Sequence, residues 1–477
     1  MNIGDMQFGH VSTRIGPKIA MNPSKQSTGS HTDKPKRPYD LVLFGATGFT
    51  GRIAANYIAG RASEEKLRWA IAGRNEVALE EMAAELSRSL GDLDTGMHEM
   101  PGRLVADIHQ PETIRRMMES ATVLMNMVGP YALYAPDVVK AAVDAGTHYV
   151  DITGEPDFIN ETFLQYDEKA REKGVALVNA CGFDSIPADL TVWHAVRGLI
   201  GSDAEDGTDA EDGTDAKDGT DAKDEVDVGH GAEVAHGADA KDQPVAVRCY
   251  VKTRARFSGG TLSTVIEALH RRAEGKKPVR IAYPKAEHAP KIARRVHRVQ
   301  KVHDLDSPLK LDGWAVPMPV ADVEIVRRSA MRMPDHYGNA FSYAQFFVVR
   351  NFSTVVKLGM LFGILSLFVR FDGFRTWIRS KTPAGTGPSR EVRAKSRFTV
   401  TTIAETPAGE RKKVVMSGGD PGYDETAKMV SEAAFALLEM DRKGSLRGGV
   451  LTPAEAMAEP LTGRLSARGI RFEEEVL

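Results

Sequence analysis

The chain has 477 residues, 42% hydrophobic and 27% charged, enough apolar material for two or three globular units. Its net charge of -3 is too balanced for wholesale nucleic-acid binding, so no nucleic-acid partner is expected. Two cysteines, Cys181 and Cys249, exclude a disulfide framework and fit a reducing, cytoplasmic setting.

Residues 1–37 carry Arg14, Lys18, Lys25, Lys34, Lys36 and Arg37 but no continuous apolar stretch. They read as a disordered tail, not a signal peptide. Tyr39 to Phe44 reads as a buried strand, followed at once by Gly45-Ala46-Thr47-Gly48-Phe49-Thr50-Gly51. A helix from Thr50 to Gly60 then places Ile53, Ala54, Tyr57 and Ile58 on one face. Trp69 to Ala72 is a second strand, and Glu76 to Ser89 a helix striped by Leu79, Met82, Ala83 and Leu86. Further strands are expected at Leu104–Ala106, Thr122–Val128, His148–Ile152 and Val175–Asn179. Strands alternating with helices imply βαβ units on a parallel sheet. The fold class is therefore α/β, a Rossmann dinucleotide-binding domain over 38–185 with a second α+β domain over 186–415 for substrate binding or dimerisation.

The second region is interrupted. A hexapeptide of the form Ala-Glu/Lys-Asp-Gly-Thr-Asp recurs from Ala204 to Asp221, and 201–243 as a whole has too little apolar surface to offset its ordering entropy. It reads as a disordered insertion. A calcium loop would need a bidentate glutamate that the repeat lacks, and no metal site is predicted. Val245 to Thr253 resumes as a strand, and Gly259-Gly260-Thr261 opens a helix through Arg272. Residues 277–303 are rich in Lys, Arg and His, a solvated face or a contact for an acidic carrier or phosphate. Phe352 to Val369 is the one long apolar stretch, broken by Lys357. Three readings stand: a buried or dimer-forming helix, a surface helix meeting lipid or a greasy substrate groove, or a membrane span, for which its length is borderline. A strand-like stretch from Glu391 to Ile403 and a helix from Tyr423 to Leu438 complete the chain.

The glycine loop lies between a buried strand and a helix, where a phosphate cradle must sit. Gly45 permits the tight turn, Gly48 lets backbone approach a pyrophosphate, and Gly51 allows close packing of the helix. The helix amino end completes an anion site. Ala46, Thr47, Phe49 and Thr50 complete the predicted cofactor contacts. After the second strand comes Gly73-Arg74-Asn75, with no acid until Glu76. A carboxylate there would bond a ribose 2′-hydroxyl, whereas the Arg74 guanidinium suits a 2′-phosphate, so NADP(H) is favoured. Asp107 is placed for the adenine edge or for a helix cap, and Gly129-Pro130 for the ribose or nicotinamide. Tyr131 and Asp184 are the candidate proton donors. Cys181 has no evident His partner and is a poor nucleophile candidate.

Tyr39–Gly51, Ala72-Gly73-Arg74, Asn126–Tyr131, Tyr149–Glu155 and Cys181–Pro187 together resemble the saccharopine dehydrogenase-like oxidoreductases, and within them the trans-acting enoyl reductases of actinobacterial lipid biosynthesis. Looser likeness continues through Gly387-Pro388-Ser389-Arg390 and Gly418–Tyr423. The resemblance implies an NADPH-dependent reductase that works beside a polyketide synthase lacking its own enoyl-reducing module. Hydride would go to the β-carbon of an α,β-unsaturated acyl or polyketide thioester, and a proton to the α-carbon. It also implies that the C-terminal segment, 416–477, returns to the Rossmann domain. Two other readings remain: a lipid- or membrane-associated dinucleotide-binding protein, peripheral at the membrane through 352–369, and a saccharopine-type amino-acid dehydrogenase. A homodimer is a further expectation.

Overall fold

The computed structural model describes residues 37–91, 100–200, 244–255, 293–294, 299–306, 321–338, 340–381 and 387–477, with scattered positions among 266–281 and 309–318. Residues 1–36 of the expected tail, the 201–243 insertion, most of the expected 259–272 helix and most of the basic 277–303 stretch lie outside the described residues.

In chain order the first half runs β1 (Tyr39–Phe44), α1 (Phe49–Arg61), β2 (Trp69–Gly73), α2 (Glu76–Gly91), β3 (Gly102–Val105), α3 (Pro111–Ser120), β4 (Ala121–Asn126), α4 (Tyr131–Tyr134), α5 (Pro136–Ala145), β5 (His148–Asp151), α6 (Pro156–Glu172), β6 (Ala176–Val178) and α7 (Ile186–Val196). The second half runs β7 (Pro244–Arg254), β8 (Ala293–Arg294), β9 (Gln300–Lys301), α8 (Val302–Leu305), β10 (Trp314–Pro317), α9 (Ala321–Arg332), α10 (Pro334–Tyr337), β11 (Ala340–Val349), α11 (Phe352–Phe368), α12 (Asp372–Lys381), α13 (Arg390–Ala394), β12 (Arg397–Glu405), β13 (Arg411–Gly418), α14 (Asp424–Lys443), β14 (Gly449–Leu451), α15 (Pro453–Ala467) and β15 (Arg471–Val476).

The first sheet has the order β14-β6-β5-β4-β1-β2-β3, and its pairings are parallel. Parallel strands bury both faces under crossover helices, hence the unbroken burial of Leu41, Val42, Leu43 and Phe44. One face packs on α3, α5 and α6 through Ile114, Met118, Val139 and Phe158. The other face belongs to a larger core built from α1, α7, α14 and α15, which continues onto the second sheet through Val247, Cys249, Phe398 and Val414. That second sheet is mixed, with β7 parallel to β11 and antiparallel to β12. The expected α/β fold with a second sheet domain is therefore the observed one.

Several elements differ from expectation. Arg37 belongs with the domain and not with the tail. Its guanidinium donates to the carbonyls of Met118 (3.0 Å) and Ala145 (2.6 Å), fastening the chain below β1. The stretch from Glu391 to Ile403 is not one strand. Arg393 donates to the Pro388 carbonyl (3.0 Å) and to Asp424 (2.9 Å), which holds α13 as a helical turn before β12 begins. The apolar stretch is the helix α11, but it is not buried: Leu365 is its one buried residue. Among the described residues no helix is long and apolar enough to cross a membrane.

Candidate active site

The carboxyl ends of β1, β2, β4, β5 and β6 open on one edge of the parallel sheet, where ligands of such sheets bind. At β1, Gly45 adopts φ +87, a conformation closed to most side chains. Its N–H donates to the Ala72 carbonyl (2.9 Å), and the Gly48 N–H returns to the Gly45 carbonyl (3.1 Å). A side chain on Gly51 would overlap that same carbonyl, so the first turn of α1 lies directly on the loop. α1 has no side-chain cap and no acid in its first turn. Its first N–H groups, which lack intrahelical acceptors, face outward beside exposed Gly48, the arrangement that holds a phosphate. Thr47, Phe49 and Thr50 are half-buried around it, and Ala46 is buried beneath. The residues present thus fit a pyrophosphate.

Later segments close around Phe49. The Tyr423 ring meets it edge-on at 4.8 Å, and the Arg393 guanidinium lies 5.6 Å from its centroid. Gly387 packs so tightly that any side chain there would overlap the Phe49 ring. The two motifs of looser likeness, 387–390 and 418–423, thus border the glycine loop. Nothing near the amino terminus could have shown this, because the contacts join residues far apart in the chain.

At β2, Gly73 sits beside Thr47, and Arg74 follows it into solvent. Asn75, not Arg74, caps α2, its side-chain oxygen accepting from the Ala78 N–H at 3.2 Å. Arg74 is left exposed at the carboxyl end of β2. At β3, Asp107 is in a turn, with one carboxylate oxygen accepting from the His109 N–H at 3.0 Å.

At β4, Gly129 and Pro130 are exposed and joined by a cis peptide. Glu155, from the loop after β5, accepts from the N–H groups of Tyr131 (2.8 Å) and Ala132 (3.0 Å), capping α4. The Tyr131 hydroxyl is buried and donates to the Asn126 carbonyl at 3.1 Å. Burial holds this phenol well above its ordinary range. Its position braces β4 against α4 and turns its proton away from solvent. Beside it, Leu133 and Tyr134 form an exposed apolar lip.

Asp151 anchors the β5 and β6 ends. It accepts from the Tyr149 hydroxyl (2.9 Å), the Asn179 amide (2.8 Å) and the N–H groups of Thr153 (3.1 Å) and Ala180 (2.8 Å). Full burial pushes its carboxyl up to about 6 against those donors. Cys181 is buried, donates to the Val178 carbonyl and has its thiol pushed well up by burial, so it is no nucleophile.

Asp184 is different. It is exposed to solvent, and desolvation by its surroundings pushes the carboxyl up. A Cβ on Gly154 would lie 3.0 Å from its Oδ2, so Gly154 makes room for this side chain. Facing it from the second domain is Asp322, at the start of α9. Asp322 is held well above the carboxylate range by burial first and by the charge of Asp184 second. Gln345 donates to Asp322 at 2.6 Å, and the Tyr343 hydroxyl to Gln345 at 2.7 Å. Sequence reasoning missed Asp322, Gln345 and Tyr343, since an acid at a helix start reads as an ordinary cap. A cavity of about 290 Å³ lined by Leu67, Phe435 and Leu438 lies before the amino end of β2, remote from this edge.

Comparison with known proteins points the same way. Residues 41–178 match the family described as the saccharopine dehydrogenase NADP binding domain. A trans-acting enoyl reductase of Mycobacterium tuberculosis is 30% identical over 458 residues, 91% of this chain and 97% of that protein. A saccharopine dehydrogenase-like oxidoreductase of Bos taurus is 29% identical over 465 residues, 92% of this chain and 97% of its own.

Proposed function

Because the chain belongs to the saccharopine dehydrogenase-like oxidoreductases, and its first domain is an NADP-binding one, we propose that it reduces the carbon–carbon double bond of an α,β-unsaturated acyl or polyketide thioester in lipid biosynthesis. The observation that carries this reading is Asp184, a carboxyl that desolvation pushes up, on the same sheet edge as the glycine loop. NADPH, when bound, supplies the hydride. The glycine loop and the α1 amino end hold its pyrophosphate, and Arg74 holds its 2′-phosphate. Asp184 protonates the α-carbon, its proton favoured by desolvation of the carboxyl. The exposed lip of Leu133 and Tyr134 suits an apolar chain better than a zwitterionic amino acid.

Fluorescence titration with NADPH followed by NADPH oxidation with an enoyl thioester tests this. Asp184→Asn should lower kcat by about 10²–10⁴-fold with NADPH affinity intact. Since the protonated carboxyl is the donor, kcat should fall as pH rises through its raised pKa. Arg74→Ala should weaken NADPH roughly ten- to hundredfold and NADH hardly at all. Turnover of saccharopine instead of thioesters, or full activity in Asp184→Asn, would overturn the assignment.

A further inference from the structure

We propose that α11, together with α12 that follows it, beds into one leaflet of an anionic lipid surface without crossing it. α11 is the most apolar of the described helices and also among the most exposed. Met360 is 58% exposed and Leu367 61%, and Phe352, Val356, Leu361, Phe362, Ile364 and Phe368 are each roughly half exposed. A turn of 100° per residue places these side chains around most of the helix circumference. A protein partner, including a second copy of this chain, covers one stripe of a helix. Acyl chains surround it, so the distribution favours lipid.

Charge argues for the same occupant. Between 350 and 381 there are six basic residues, Arg350, Lys357, Arg370, Arg375, Arg379 and Lys381, against one acid, Asp372. Arg350 and Arg370 flank α11, where long side chains reach headgroups while the helix lies among acyl chains. Trp377 on α12 is exposed and stacks on Phe374, with ring centroids 6.0 Å apart, and tryptophan favours the headgroup boundary. Ile266, Leu365, Val369 and Ile378 form one small buried cluster that joins the two helices. At 17 residues α11 is about 26 Å long, short of the roughly 30 Å hydrocarbon core. It therefore lies within one leaflet. Shortly after α12, Gly387 packs on Phe49 of the glycine loop, so the proposed contact is close in sequence to the cofactor site. The proposal does not depend on which reaction that site performs.

Flotation of the full chain with vesicles tests it, using phosphatidylcholine alone and phosphatidylcholine with phosphatidylglycerol. The chain should float with the anionic vesicles, less with the neutral ones, and less again at high salt. The Leu361→Glu/Leu367→Glu double variant should lose at least about tenfold in vesicle affinity, with melting temperature and NADPH binding unchanged. The Lys357→Glu/Arg370→Glu variant, which leaves the apolar surface intact, should lose the preference for anionic vesicles. Absence of flotation with either vesicle overturns the proposal. So does undiminished flotation of the double glutamate variant, and so does a lipid-independent dimer that this variant dissociates.

Discussion

Two helices of this molecule invert the usual relation between composition and burial. α14 is a mixed helix bearing Glu425, Ser431 and Glu432, yet every residue from Met429 to Leu438 is buried. α11, with no acid in 17 residues, buries only Leu365. The difference lies in partners. Glu432 is tolerated without exposure because the Tyr57 hydroxyl (2.6 Å), Arg464 (2.8 Å) and Arg61 (3.3 Å) all donate to it, so its desolvation is met by compensating charge and hydrogen bonds. α11 has nothing comparable to lie against within the described chain. Burial follows what a helix is packed on, and an apolar helix left outside is a surface with a use.

The contrast can be broken at either end. The largest effect is expected at Glu432. Glu432→Ala leaves Arg61 and Arg464 crowded without their shared carboxylate, and should cost about 3–5 kcal/mol in denaturant unfolding. A loss under 1 kcal/mol would show that the cluster does not hold α14 down. Next comes Asp189, which ties α7 to α9 and α15 by accepting from Ser329 (2.6 Å) and the Ala454 N–H (2.8 Å). Its carboxyl is pushed from 3.8 up to about 6 by burial. A raised folded-state pKa stabilises the protein below the unfolded value, and that stability is lost as pH rises through the folded one. Asp189 should therefore remove up to about 3 kcal/mol between roughly pH 4 and 6. Asp189→Asn can still accept from Ala454 and should flatten the melting-temperature slope across that window; an unchanged slope would place the titration elsewhere. The smallest effect belongs to α11. Leu367→Ser should alter stability by no more than about 0.5 kcal/mol. A core-sized loss of 2 kcal/mol or more, as large-to-small core changes give, would mean the helix is covered.

The same contrast marks what could be read from residues alone. The first domain was legible because most of its strands, β1, β2, β4 and β6 above all, are short apolar runs set between helical stripes, and the glycine loop announces its own role. The second sheet was far less so. β9 and β8 are two residues each, and β15 is Arg-Phe-Glu-Glu-Glu-Val, too short or too charged for periodicity to show. β11 went unread despite Phe341, Tyr343, Phe346 and Phe347, a run of the residues that favour strands. In the site, Gly45, Gly51 and Arg74 were visible because their demands are local. The facing of Asp184 by Asp322 was not, since it exists only after two domains meet.

One strand carries a consequence for how the molecule is made. β14 pairs with β6 and ends the nucleotide-binding sheet, although it lies near the end of the chain. While translation proceeds, the β6 edge waits with unpaired N–H and C=O groups, a template for wrong neighbours. The cofactor sheet is therefore begun first but completed only after most of the second sheet has been made, and a chain cut short before Gly449 would be exposed to aggregation at that edge.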